Sequence, residues 1–280
     1  MMKIGVLGAG TMGNGIAQIM ASAGHEVTLC DIDNEVLRTA ASTIDANLWR
    51  LYKKENKECS EIGQILSRIT LTTDKTKLAE LDIVIEAILE NRDIKKRVFA
   101  ELDAICDSKT ILASNTSGLS ITEIGAATSR PDRVIGMHFF NPVPVMKLVE
   151  IIKGSETSEA TYETVNKLVK EIGKESITIL DAPLFVVNRI LVPMINEAIF
   201  VLGEGIASAE DIDKGMVLGT NQPIGPLALA DLIGLDTLLS VAETLFEETG
   251  DTKYRVPPLL RKYVRAGKLG RKTGRGFYNY

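Results

Sequence analysis

The chain predicts an α/β fold: a doubly wound parallel sheet with a helical hairpin insertion, followed by an all-helical C-terminal domain. Three observations predict it. Lys3–Leu7 is a short apolar run that breaks at Gly8-Ala9-Gly10-Thr11-Met12-Gly13; Ile16, Ile19 and Met20 then recur at helical spacing, and Glu26–Cys30 is apolar again. Strand, glycine-rich turn, helix and strand within about 30 residues is the opening unit of a doubly wound sheet. Further short apolar runs alternate with helical stretches as far as Leu180, and beyond Pro183 the periodicity turns mainly helical.

The elements follow in order. Asn34–Leu66 reads as two long helical pieces broken near Asn56–Ser60, longer than a connection between sheet strands needs. Asp82–Ala87 is a buried strand, Ile94–Ile105 a helix, Thr110–Ala113 a strand, Ile121–Ala127 a short helix and Val134–His138 a strand. Lys147–Ile152 and Ser176–Leu180 are strands around the helix Ser158–Ile172. The later helices are Ile190–Leu202, Ala209–Leu218, Pro226–Glu248 and Pro258–Ala266. Ile195–Ile199 and Leu227–Leu239 are apolar on more than one face, which predicts burial on several sides or a subunit contact. The domain boundary falls within Asp181–Val187, giving domains of residues 1–184 and 185–280.

At 280 residues, 45% hydrophobic and 25% charged, the chain is ordinarily globular. A net charge of −5 gives no global basic field for nucleic acid. Cys30, Cys59 and Cys106 form no CxxC pair and read as reduced thiols of a cytoplasmic protein. The start has no secretory-signal pattern, and no apolar run approaches the ~18 residues of a membrane span. The absence of HExxH spacing or a cysteine cluster argues against a metal site. The stretch Thr252–Tyr280 holds nine lysines and arginines and no acidic residue. It is either a solvated or interdomain surface or a field that attracts an anionic ligand or a partner's acidic face.

The glycines carry the first chemistry. Gly8 permits a tight turn, Gly10 lets the backbone approach a pyrophosphate, and Gly13 lets helix and strand pack closely. Thr11 and Met12 lie at the helix start, where free N–H groups and the positive dipole end face phosphate. This is a Rossmann-like fingerprint for a dinucleotide. Asp31 ends the second strand about 20 residues on. A carboxylate there accepts from ribose hydroxyls and repels an extra phosphate, and no arginine follows at once, so NAD is expected over NADP.

His138 is one of two histidines; it ends an apolar run, enters Asn141-Pro142-Val143-Pro144, and is followed in the next run by Glu150. Histidine changes charge near neutrality and serves as general acid or base. A carboxylate beside it fixes its tautomer and stabilises the imidazolium. Taken alone such a histidine is more often a hydrogen-bonded structural residue than a catalyst, and Glu150 a surface carboxylate at a strand end. His25, in a turn, reads as structural. Asn115 and Ser117 follow a strand in Ser114-Asn115-Thr116-Ser117, where open α/β sheets bind ligands; ordinary turn chemistry is the alternative. Asn188 opens a largely apolar helix, as an N-cap or as a group reaching back toward the first domain. Arg50, Lys53, Lys54 and Lys57 stand near the hairpin tip, as a solvated face or a binding site for phosphate.

Together GAGTMGNGIA at 8–17, ASNTS at 113–117, GMHFFNPVPVMKLVE at 136–150, FVVNRIL at 185–191 and the ending GRKTGRGFYNY resemble the short-form L-3-hydroxyacyl-CoA dehydrogenases, most of all their bacterial 3-hydroxybutyryl-CoA type. The likeness spans essentially the whole chain. It implies a homodimer formed through the helical domain and reversible oxidation of L-3-hydroxyacyl-CoA to 3-ketoacyl-CoA with NAD. It implies His138 as catalytic base, Glu150 as its partner, Ser117 on the reacting oxygen and Asn188 orienting substrate. Glu90, Lys95 and Asn115 fall with the cofactor, Glu90 and Lys95 near the nicotinamide end, and Arg50, Lys53, Lys54 and Lys57 near the CoA phosphates. Gly118 stands where many members carry serine, and Leu184 where they carry glycine. Gly118 removes a possible hydrogen bond, and Leu184 changes the hinge and with it domain closure or pocket shape; neither removes a residue assigned to catalysis. Two other functions share the fold: oxidation of a free hydroxy acid or sugar acid, which needs no basic hairpin, and non-catalytic NAD binding.

Overall fold

A computed structural model describes every residue except Lys57. The chain divides into two compact units, Met1–Ala182 and Pro183–Tyr280.

The first unit is built on one eight-stranded sheet with strands β1 (Lys3–Leu7), β2 (Glu26–Cys30), β3 (Ile69–Thr72), β4 (Ile83–Glu86), β5 (Ile111–Ser114), β6 (Val134–Phe139), β7 (Leu148–Lys153) and β8 (Glu175–Leu180). Their order across the sheet is β3-β2-β1-β4-β5-β6-β7-β8. All neighbours are parallel except β6 and β7. β4, β5 and β6 are buried along their whole length, as strands covered on both faces must be.

Helices cover the sheet. α1 (Thr11–Ser22) follows β1 and buries Ile16, Ala17 and Met20. α2 (Asn34–Lys54) starts at the Asp33 cap, whose side chain accepts from the Glu35 N–H. It buries Leu37, Ala40, Ile44, Leu48 and Tyr52, one stripe at three- and four-residue spacing. α3 (Ser60–Ser67) closes the hairpin. α4 (Arg92–Ile105), α5 (Ile121–Gly125) and α6 (Glu159–Glu171) link later strands.

The second unit is helical: α7 (Val187–Gly203), α8 (Ala209–Thr220), α9 (Pro226–Ile233), α10 (Leu235–Thr249) and α11 (Pro258–Arg265). Ile195, Ile199, Leu227, Leu235, Leu238, Leu245 and Leu260 form its core. The aromatic ending is held by buried carboxylates. Asp231 accepts from the N–H groups of Phe277 and Tyr278, and Asp213 accepts from the Tyr278 hydroxyl.

Three expectations need correction. Pro226–Glu248 is two helices, because Gly234 takes φ +99 between them, a conformation no helix contains. The second piece of the hairpin is only eight residues long, and the chain then enters β3, a strand the periodicity did not announce. β3 is an edge strand with no fully buried residue, so it lacks an apolar run. Asn188 does not cap α7: Val186 holds that position, and Asn188 lies within the first turn. Among the described residues no helix is long and apolar enough to cross a membrane.

Candidate active site

The glycine turn has the geometry its sequence implies. Gly8 sits at φ +99, and a Cβ there would lie 2.6 Å from the carbonyl oxygen of Ala87. A Cβ on Gly13 would lie 1.7 Å from the carbonyl oxygen of Gly8, so helix and strand meet backbone to backbone. Gly10 meets nothing within 4 Å, which leaves its face open to a ligand. It is also the N-cap of α1 and makes no side-chain cap bond, so the first-turn N–H groups of Thr11, Met12 and Gly13 lack helix partners. Asp31 Oδ2 accepts from the Ala9 N–H at 2.7 Å and Oδ1 from the Asp33 N–H at 3.2 Å, fixing the carboxylate at the turn. A cavity of about 490 Å³ opens beside it, lined by Gly8, Gly10, Asp31, Ile32 and Leu89. The residues fit a dinucleotide: an open phosphate cradle at a helix start and an acceptor held for ribose hydroxyls.

Across the sheet, β6 and β7 pair antiparallel with His138 directly opposite Glu150. Residues opposite each other in an antiparallel pair point to the same face, so the register itself brings the two side chains together. His138 Nδ1 lies 2.7 Å from Glu150 Oε2. Histidine is 4% exposed and glutamate 0%, so the pair meets with little water to screen it. The Phe140 ring packs on the imidazole at 4.6 Å between centroids. Asn115, after β5, accepts from the Phe139 N–H through Oδ1 at 2.9 Å and so ties the end of β5 to the strand that carries the histidine.

The loop between β6 and β7 is also fixed. A Cβ on Gly15 of α1 would lie 2.8 Å from Cβ of Val143. Lys174, 8% exposed, donates to the carbonyl oxygens of Val143 at 2.7 Å and Met146 at 2.5 Å. Burial pushes its pKa below the ordinary lysine value. The loop forms one wall of a second cavity of about 520 Å³, whose other walls come from Gly10, Asn14 and the α2 residues Thr43 and Asn47. A third cavity is lined by Arg38, Ser42, Asn47 and Arg50. Arg50, Lys53 and Lys54 are exposed on the last turns of α2; Lys57 lies outside the described residues.

Glu90, Lys95 and Ser117 are brought together beside the ends of β4 and β5. Lys95, 1% exposed, lies 3.2 Å from Glu90, and Glu90 Oε1 accepts from the Ser117 N–H at 2.8 Å. Sequence reasoning missed two groups here. Glu86 at the end of β4 is fully buried and pairs with Lys95; the signal was a carboxylate inside the apolar run Ile83–Glu86. Lys174 had no signal, because its acceptors are backbone carbonyls. Asn188 lies half-buried in the second unit.

Two family models cover the chain: the NAD binding domain of 3-hydroxyacyl-CoA dehydrogenase over residues 3–182, and the C-terminal domain of the same enzyme over residues 185–280. The chain belongs to the 3-hydroxyacyl-CoA dehydrogenase family. It is an NAD oxidoreductase by that membership, and its cofactor is NAD. It is 52% identical to a 3-hydroxybutyryl-CoA dehydrogenase of Clostridioides difficile over 100% of this chain and 99% of that protein. It is 44% identical to the mitochondrial hydroxyacyl-coenzyme A dehydrogenase of Homo sapiens, over 98% of this chain and 90% of that one. The crystal structure of (S)-3-hydroxybutyryl-CoA dehydrogenase from Ralstonia eutropha superposes with a TM-score of 0.97 at 54% identity, covering 99% of this chain and 98% of that one.

Proposed function

We propose that this dehydrogenase interconverts short-chain L-3-hydroxyacyl-CoA and 3-ketoacyl-CoA, with 3-hydroxybutyryl-CoA and acetoacetyl-CoA as the pair. The observation that carries the reading is the buried His138–Glu150 pair in the sheet whose first turn cradles the dinucleotide. The printed names of relatives about half identical to this chain support the substrate. Gly8, Gly10, Thr11, Met12, Gly13 and Asp31 hold NAD, with Asn115, Glu90 and Lys95 toward its nicotinamide end. Bound NAD supplies the acceptor for the hydride lost from C3 in oxidation and, when reduced, the donor for the reverse direction.

The chain's own residues handle the proton. Nδ1 of His138 is committed to Glu150, so the proton exchanged with substrate is carried on Nε2. In oxidation Nε2 takes the proton of the C3 hydroxyl, and Glu150 stabilises the imidazolium that forms. In reduction the imidazolium returns that proton to the C3 oxygen. Ser117 hydrogen-bonds the same oxygen, and Asn188 orients the substrate. Arg50, Lys53 and Lys54, with Lys57, offset the phosphate charge of CoA on a net-acidic protein. The second unit exposes Ile190, Leu218, Leu232 and Ile233, apolar side chains that a second copy would cover in a homodimer.

The test follows NADH absorbance with acetoacetyl-CoA, with NADPH and free acetoacetate as controls. Rapid loss only with NADH and the CoA ester is expected. Equal rates with free acetoacetate would overturn the role of CoA, and undiminished turnover by His138→Gln would overturn the assigned base.

A further inference from the structure

The buried carboxylate of Glu86 is not needed to bind any ligand in the mechanism above, yet it is one of the most heavily bonded side chains of the first unit. Oε1 lies 2.5 Å from Lys95 Nζ and accepts from the Ile88 N–H at 2.7 Å. Oε2 accepts from the Ser114 hydroxyl at 2.7 Å, and that hydroxyl oxygen accepts in turn from the Thr116 N–H at 3.2 Å. Lys95 reaches a second carboxylate, Glu90, at 3.2 Å. Glu90 Oε1 accepts from the Thr116 hydroxyl at 2.6 Å and the Ser117 N–H at 2.8 Å. Glu86 therefore touches the Ser114–Ser117 turn by two routes: directly through Ser114, and through Lys95 and Glu90.

The physical chemistry argues against a merely structural role. Glu86 is 0% exposed and Lys95 1%. Such a pair loses the hydration of both charges, and apolar residues of similar size would hold helix α4 to the sheet at least as well. What an ionic pair supplies instead is direction. Lys95 can bridge two carboxylates only where Glu86 holds it, and Glu90, 45% exposed on its side chain, has in Lys95 its buried anchor beside its bonds to Thr116 and Ser117.

We propose that Glu86 is a positioning residue for Ser117: it fixes Lys95, Lys95 fixes the Glu90 carboxylate, and Glu90 with Ser114 holds the turn that presents the Ser117 hydroxyl. This rests on the reading that Ser117 bonds the reacting oxygen. A shift of a few tenths of an ångström in that hydroxyl weakens a hydrogen bond needed in the transition state more than it weakens cofactor binding.

The experiment is a set of variant cycles on the full chain, read by acetoacetyl-CoA reduction, NADH binding, thermal unfolding and hydrogen exchange of the peptide covering residues 114–120. Glu86→Gln is expected to lower kcat about tenfold, with KM for the CoA ester and Kd for NADH within threefold. It should also speed exchange of the 114–120 peptide at least tenfold while peptides of β6 and β7 keep their rates. In a Ser117→Ala background the same substitution should cost less than twofold, since there is no hydroxyl left to misplace. Should Glu86→Gln fail to fold with an unpaired ammonium beside it, Glu86→Gln/Lys95→Met removes both charges; since Lys95 is itself assigned to the cofactor, that variant is read by exchange of the 114–120 peptide alone, which should be at least tenfold faster. Unchanged kcat in folded Glu86→Gln, a full tenfold loss persisting without the Ser117 hydroxyl, or unchanged exchange would each overturn the proposal. No acetoacetyl-CoA reduction by the unsubstituted chain would overturn the functional reading itself, while the exchange rates would still decide whether Glu86 holds the turn.

Discussion

Glu150 is fully buried with its Oε2 2.7 Å from His138 Nδ1, so its charge acts on the imidazole with little solvent between. Glu150→Gln keeps the shape and removes that charge. Turnover should fall about 100-fold while NADH affinity stays within twofold; steady-state rates beside a fluorescence titration measure both. Asp31 holds the Ala9 N–H, and in the proposed reading it also accepts from the ribose hydroxyls of NAD. Asp31→Asn keeps an oxygen for the N–H and loses the charge that repels a 2′-phosphate. The ratio of NADH to NADPH affinity should drop about tenfold, with the larger part of the change on the NADPH side. A variant as selective as the parent would show that the charge at Asp31 does not choose the cofactor.

At the scale of elements, the glycine turn separates two roles that the sequence writes with the same letter. A Cβ at Gly13 would fall 1.7 Å from a carbonyl oxygen, whereas one at Gly10 would meet no protein atom within 4 Å. Gly13→Ala should therefore lower both thermal stability and NADH affinity. Gly10→Ala should leave the melting temperature within about 2 °C while NADH affinity falls tenfold or more, the cost appearing only when a pyrophosphate approaches. The turn and the histidine strand were readable in the sequence because both are local: glycines between a strand and a helix, and two apolar runs with His138 and Glu150 at matching places. β3 was not readable, since a four-residue edge strand with half-exposed and exposed positions has no pattern to show. The break at Gly234 hid for the opposite reason, inside helices apolar on several faces. Glu86 hid because its meaning lies in Lys95, nine positions on and one helix away. Leu184 is a further case. It stands at φ +59, where the family pattern has glycine, and it is 2% exposed; its packing offsets a backbone that glycine would adopt without strain.

For the whole molecule, burial sets the response to alkali. The thiols of Cys30 and Cys106 are pushed from 9.0 up to about 11 by burial. The Tyr278 hydroxyl is raised too, by burial first and then by its bond to Asp213. A group whose folded pKa exceeds its unfolded value adds stability that is fully present below the unfolded pKa and is lost as pH rises through the folded one. Lys174 has the opposite sign, since its pKa is lowered by burial. Tyr280 is raised by burial and the exposed Lys253 by its bonds to Tyr254 and Asp251; five groups against one predict a urea midpoint that is flat from pH 7 to about 8.5 and falls by pH 11. The fall should be shallower in a Cys30→Ala/Cys106→Ala variant; equal slopes would show that the thiols are not its source.

Lys174 also gives the protein a built-in chemical gauge. Its amine is occupied by two backbone carbonyls and turned away from water, while Lys53 and Lys54 stand exposed. A brief pulse of an amine-modifying reagent would mark the exposed pair at once. It would reach Lys174 only in molecules whose Val143–Met146 loop has lifted from its anchor. The fraction of modified Lys174, read by mass spectrometry against pulse length, is then a direct clock for that lifting.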